Sequence, residues 1–109
     1  MKMQFFLNFV LTKKQMKKIK ESDVEKYLKQ QVKVSGGEVR KVQWIGRRGA
    51  PDRFVMFPNC KGFWVELKAP GVKAEAHQLR EHARMEKLHQ KVWVIDTLEA
   101  VDALLHKYA

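Results

Sequence analysis

Residues 46–68 read Gly-Arg-Arg-Gly-Ala-Pro-Asp-Arg-Phe-Val-Met-Phe-Pro-Asn-Cys-Lys-Gly-Phe-Trp-Val-Glu-Leu-Lys. The run divides into a loop, a strand over 52–57, a tight turn at Pro58-Asn59-Cys60-Lys61-Gly62 and a second strand over 62–68. Side chains alternate along a strand, so Glu66 and Lys68 share a face. If the two strands pair as a hairpin, Asp52 at the mouth of the first falls near Glu66 on the second. Two carboxylates and an ammonium then converge. Magnesium takes carboxylate oxygens and water. A cation so held stabilises charge in a phosphodiester displacement and acidifies a bound water, and a lysine beside it can serve that water or the charged transition state. The competing reading is a solvated strand face with an ordinary ion pair, because Glu-x-Lys alone is a weak signal.

Working outward, residues 38–45 are β-branched and aromatic enough for a strand, and Gly46 to Pro51 is a loop carrying Arg47 and Arg48. Before it, a helix runs to about Val34, capped by Ser22 with Glu25 completing a capping box. Its buried stripe is Val24, Tyr27, Leu28, Gln31 and Val32, and Gly36-Gly37 ends it. After the hairpin, Ala69-Pro70-Gly71 stops the second strand. A helix over about 75–89 puts Gln78, His82, Met85 and His89 on one face. Lys91 to Ile95 is apolar on both faces and is expected in the sheet interior. Asp96 and Thr97 can cap a last helix with an inward stripe of Leu98, Val101, Leu104 and Leu105. The order α, β, β, β, α, β, α implies an α/β fold with a central mixed β-sheet flanked by helices.

The chain has 109 residues, enough for one domain. Its net charge is +10. Residues 1–50 hold 13 Lys/Arg against 4 Asp/Glu, and residues 51–109 hold 9 against 8, so the excess surrounds the loop leading to Asp52. A basic surface favours a polyanion; the plainer account is solubility. The single cysteine, Cys60, excludes an intrachain disulfide and fits a reducing cytoplasm. A zinc site from His77, His82, His89 and Cys60 has no recognisable spacing. Residues 1–11 are apolar but too short to span a bilayer, and no small-residue cleavage site follows. Residues 1–15 are expected to be an N-terminal extension, with Met16 a candidate start, and residues 16–109 the domain. An anchor for a membrane or a partner is the other reading of that extension.

The series Gly49-Ala50-Pro51-Asp52, Glu66-Leu67-Lys68 and Gln78 resembles the virus-type replication-repair nuclease (VRR-NUC) domain of the PD-(D/E)xK, restriction-endonuclease-like superfamily. The resemblance covers roughly residues 21–105, and the element order agrees with the αβββαβ core of that superfamily. It implies that Asp52 and Glu66 ligate Mg2+ or Mn2+, with the Leu67 carbonyl as a further ligand. It implies that Lys68 serves the attacking water and that Gln78 orients the lysine or contacts the scissile phosphate. An acid from the first helix would complete the set. Glu21 and Glu25 are the candidates, and at about 100° per residue Glu21 lies nearer the centre of the apolar stripe. Glu21 is therefore preferred, with Glu25 left to the capping box; interaction with the helix N-terminus is the other account of Glu21.

Arg47 and Arg48 are expected to contact DNA phosphates, with Lys41, Arg53 and Lys73 as weaker candidates. His82 is either adjacent to the site or a packed core histidine, and His89 is expected to be structural. Trp44, Trp64 and Trp93 read as core aromatics. The resemblance implies a phage-type nuclease that resolves four-way (Holliday) junctions as a homodimer, in the cytoplasm of a bacterium or phage-infected host, with no membrane partner. A less selective nuclease acting on flap, nicked or linear DNA, and a non-catalytic DNA-binding protein on the same fold, are the alternatives.

Overall fold

The computed structural model describes residues 18–108; the expected extension over residues 1–15 lies outside them. The elements are α1 (Glu21–Val34), β1 (Glu38–Lys41), β2 (Arg53–Met56), β3 (Phe63–Leu67), α2 (Ala76–Lys87), β4 (Val92–Ile95) and α3 (Leu98–Tyr108). The four strands form one sheet in the order β1-β2-β3-β4. β1 and β2 run antiparallel, as do β2 and β3, while β3 and β4 are parallel. This is a mixed sheet with the αβββαβ order of restriction-endonuclease-like folds, extended by α3.

The alternation of β2 and β3 sorts the two faces of the sheet. Val55, Phe57, Phe63, Val65 and Leu67 enter one core with Val24, Tyr27, Leu28 and Val32 of α1 and Val101, Leu104 and Leu105 of α3. Burial of these apolar side chains is the main stabilising term, at about 1.5–3 kcal/mol for each fully buried one. By the same alternation Asp52, Phe54, Trp64, Glu66 and Lys68 fall on the opposite side, which α2 approaches through Gln78 and His82 at Glu66 and through Glu86 at Val92. The Tyr27 hydroxyl donates to Asp102 Oδ1 at 2.8 Å and links α1 to α3. Burial pushes both groups up from their ordinary values.

The predicted stripe of α1 is the observed one, Val24, Tyr27, Leu28, Gln31 and Val32. Its start differs from expectation. The helix begins at Glu21, and the Asp23 carboxylate accepts the Lys20 backbone N–H at 2.8 Å. Ser22 therefore lies inside the helix, and Glu25 is released from the capping box to make another contact. Gly36, at φ +88°, provides the left-handed turn that ends the helix.

Three further expectations are corrected. β1 ends at Lys41 rather than residue 45, because the chain turns away to place the Trp44 indole N–H on the Pro51 carbonyl, 2.7 Å. β4 is an edge strand among the described residues, with Val94 39% exposed, and not an interior one. Its apolar outer side is partly covered by α3, where the Trp93 indole donates to the Tyr108 hydroxyl at 3.3 Å. The ammonium of Lys91 lies 4.6 Å from the Trp93 ring centroid. Finally, α2 stops at Lys87 and His89 leaves the helical face, adopting φ 65° just beyond the helix end. Thr97 does cap α3, its hydroxyl accepting the Ala100 N–H at 2.9 Å.

Candidate active site

The β2–β3 register pairs Arg53 with Val65 and Phe54 with Trp64. One step further, Asp52 stands across from Glu66. The Lys68 N–H donates to the Ile95 carbonyl at 3.0 Å, so the parallel β3–β4 ladder holds the backbone rigid through Lys68. The register thus brings the backbone positions of Asp52, Glu66 and Lys68 to one end of the sheet, and Glu66 feels the charges of the other two.

Glu66 is the centre of this end. Its Oε2 accepts from Gln78 Nε2 at 3.2 Å, and its Oε1 lies 3.4 Å from His82 Nε2. Both of the latter atoms are buried and lack a hydrogen-bond partner. Burial pushes the Glu66 carboxyl up to about 7. The Lys68 charge opposes that rise, Asp52 and Glu21 add to it, and Arg53 opposes it. Glu66 therefore feels Asp52, Glu21 and Lys68 together. Burial also lowers His82 from its ordinary value, outweighing the pull of Glu81 and Glu86, with Lys68 acting in the same direction as burial. Burial thus makes the imidazole resist protonation and the carboxyl resist ionisation, each through loss of solvation of its charged form.

α2 is set for this role at its N-terminus. Gln78 Oε1 accepts the Glu75 N–H at 2.8 Å, which caps the helix and turns the amide NH2 toward Glu66. One side chain thus caps the helix and orients the acid. His82, one turn on, is buried with Met85 and Glu81. The resemblance implies that Gln78 orients the lysine or contacts the scissile phosphate; in the structure its amide donates to Glu66.

Glu25 and Arg53 make a contact that the sequence reading missed. Arg53 is only 8% exposed, and its guanidinium lies between two acids: Nη2 is 2.6 Å from Glu25 Oε2 and Nη1 is 2.8 Å from Asp52 Oδ1. Together these pairs raise Arg53 above its ordinary value against the opposing effect of burial. Arg53 was expected on the DNA surface; instead it is buried on the α1 face, pairing directly with Asp52 while Glu25 holds its guanidinium from the other side. The residues are 28 apart in sequence, and the capping pattern at Ser22 offered Glu25 a local partner. Glu21, in the first turn of α1, is exposed, whereas Glu25 is the more buried of the two acids; Glu21 still enters the field of Glu66.

The loop between β1 and β2 spans residues 42–52. Arg47 Nη1 lies 3.6 Å from Glu81 Oε1, and Arg84 also pairs with Glu81. Glu81 is 3% exposed, a buried acid on α2 that the sequence offered no reason to separate from an ordinary solvated helix residue. Arg48, Lys41 and Lys73 are exposed. Gly49 sits at φ +84°, and a Cβ there would lie 2.9 Å from the His77 carbonyl oxygen and 3.2 Å from Gln78 Cα. The loop therefore packs against α2 at the residues that hold Glu66. Gly49→Ala should destabilise the protein by about 1–2 kcal/mol from the left-handed conformation alone, and more from the collision with backbone. Chemical denaturation measures this, and unchanged stability would show that the loop relaxes away from α2.

The donor set here is two carboxylates with Glu21 nearby, all hard oxygen. Among the described residues no group of three His, Cys, Asp or Glu side chains forms a ready cage for a metal. Magnesium does not require one: it keeps several waters and is commonly held by one or two carboxylates together with phosphate oxygens. The buried, unpartnered Glu66 Oε1 and the repulsion of Glu66 by Asp52 and Glu21 are features a divalent cation would satisfy.

Comparison with known proteins agrees with this geometry. The chain is 48% identical over 82 residues to "Putative nuclease p44" of Acyrthosiphon pisum secondary endosymbiont phage 1, which covers 75% of this chain and 88% of the phage protein. A solved structure described as "VRR_NUC domain" superposes with a TM-score of 0.73 and 40% sequence identity, covering 82% of this chain and 97% of the other. No family model matches the sequence.

Proposed function

Because the chain belongs to the VRR-NUC family and is by that kinship a nuclease on the PD-(D/E)xK fold, we propose that it is a Mg2+- or Mn2+-dependent endodeoxyribonuclease that cuts branched DNA, with the four-way junction as its principal substrate and a homodimer as its acting form. The observation that carries the reading is the convergence of Asp52, Glu66 and Lys68 at one end of the hairpin, with a buried Glu66 oxygen left unpartnered. Asp52, Glu66 and the Leu67 carbonyl would hold the metal, with Glu21 in reach of the same field. Bound there, a divalent cation supplies charge stabilisation at the phosphate and a more acidic water.

The chain's own residues do the rest. Gln78 fixes one oxygen of Glu66, leaving the other for the metal. The Glu25–Arg53 pair holds Asp52 in place from behind. Lys68 places an ammonium on the same face as Glu66, where it donates to and orients the attacking water and offsets charge on the phosphate. Arg47, anchored on Glu81 yet 54% exposed, together with Arg48, Lys41 and Lys73, presents cations to the DNA backbone. Water is the nucleophile, and no covalent enzyme intermediate is required.

The preference for branched DNA and the dimer are supported by the family kinship and by the small size of the domain, which leaves little surface for reading a long sequence. A two-fold dimer would offer two sites to a two-fold substrate. No helix among the described residues is long and apolar enough to cross a membrane. Incubation with four-way junction, flap, nicked and linear duplex DNA in magnesium tests the reading. Junction cutting should exceed linear-duplex cutting by at least about tenfold, the preference one to a few kcal/mol of differential binding would give. Equal rates on the two would overturn the junction reading, and sedimentation as a monomer on DNA would overturn the dimer.

A further inference from the structure

A cleft of ≈ 660 Å³ opens beside the site, lined by Lys41, Val42, Gln43, Trp44, Arg47, Ala50 and Asp52. It shares Asp52 with the candidate metal centre, so whatever fills it lies next to the bond being cut. Trp44 is a fixed wall. Its indole N–H is committed to the Pro51 carbonyl at 2.7 Å, and its ring rests 5.1 Å from that of Trp64, which in turn lies 4.7 Å from Phe54. Arg47 is fixed by Glu81. Gln43 adds an amide that can both donate and accept. Immediately past Trp44, Ile45 is 95% exposed at the tip of the loop, between the indole and the exposed pair Arg47-Arg48.

Two cations, a fixed aromatic surface and an amide suit one nucleotide better than a small apolar ligand or a peptide. The cations suit its phosphate, the indole its base face and the amide its base edge. A base in a duplex can enter only after unpairing and unstacking, which is cheapest where pairing is already interrupted. An exposed isoleucine flanked by arginines is the kind of side chain that fills the gap left in a stack. Resting on the nuclease reading above, we propose that this cleft receives a single unpaired nucleotide beside the scissile phosphate, with Ile45 wedged into the vacated step. The loop then selects branched over continuous DNA by the cost of freeing that nucleotide.

The test is a binding cycle in chelator, where no hydrolysis is needed. Fluorescence anisotropy is measured with a labelled four-way junction, with the same junction made abasic at each branch-adjacent position in turn, and with linear duplex. Native protein should lose about tenfold in affinity at one abasic position, the size of a lost stacking contact. Ile45→Ser and Trp44→Leu should each weaken binding to the intact junction about tenfold, change duplex binding less than twofold, and lose nothing further on the sensitive abasic junction. Gln43→Ala, at an exposed position, replaces Trp44→Leu if the latter fails to fold. Equal losses on junction and duplex, no abasic-sensitive position, or an Ile45→Ser protein that turns from dimer to monomer would each overturn the proposal. Cutting in magnesium is read separately. A native protein that passes the cycle but cuts nothing sinks the enzyme reading alone, and one that binds no DNA overturns both.

Discussion

Lys68→Ala is expected to slow cutting of DNA by about 10²–10⁴-fold, the usual range for a positioned proton-transfer group, while leaving DNA binding and the fold in place. Lys68 is half-buried at the end of β3, and its backbone N–H, which the substitution keeps, secures it to β4. The charge it provides works against the burial of Glu66. Its loss therefore raises the Glu66 carboxyl further and weakens the metal site as well as the proton transfer. Single-turnover cutting rates, with binding measured in chelator, separate the two contributions. Excess magnesium should restore the metal-site contribution and not the proton transfer. A Lys68→Ala protein that cuts at the native rate would remove the residue from the reaction.

Glu66→Gln should likewise lose cutting, but the metal-free protein should become more stable. The folded Glu66 carboxyl is raised from 4.5 to about 7. A raised carboxyl is at its most favourable below its unfolded value, and that stability is lost as pH rises through the folded one. At pH 8 the native protein carries the full penalty of a buried, ionised group, on the order of 2–3 kcal/mol. At pH 4 it carries almost none. Glutamine keeps the shape and still accepts from Gln78 without titrating. The variant should thus melt roughly 10 °C higher than native at pH 8 in chelator and nearly level with it at pH 4. Magnesium should raise the native midpoint at pH 8 and leave that of the variant unmoved, since only a ligand bound to the folded state stabilises it. An advantage that is constant across this window would mean that Glu66 ionises without penalty.

These expectations rest on residues that differ in how openly the sequence displays them. Asp52, Glu66 and Lys68 were legible because the strand period of two, a glycine-proline entry and a short turn suffice to bring them together. Gln78 was legible on helical spacing once the helix had been placed. The helical angle favoured Glu21 as the inward acid, yet Glu21 is exposed and Glu25 is the more buried. The Glu25–Arg53–Asp52 chain was not legible. It depends on a helix and a strand far apart in sequence packing together, and a local capping pattern claimed the same glutamate. Glu81 looked like any solvated helix acid, because what buries it is a loop whose path is set by Gly46 and Gly49 and by the Trp44–Pro51 bond. The edge position of β4 was hidden for a related reason. An edge strand shielded by Tyr108 and lysine stems carries the same apolar run as a central one.

The central claim is that Asp52 and Glu66 form a divalent-metal centre that hydrolyses phosphodiesters. A single-turnover time course of four-way junction cutting, run for native protein and Asp52→Asn in magnesium and in chelator, tests it most directly. The account predicts product only from native protein with magnesium. Cutting by native protein in chelator, or by Asp52→Asn at the native rate, would contradict it.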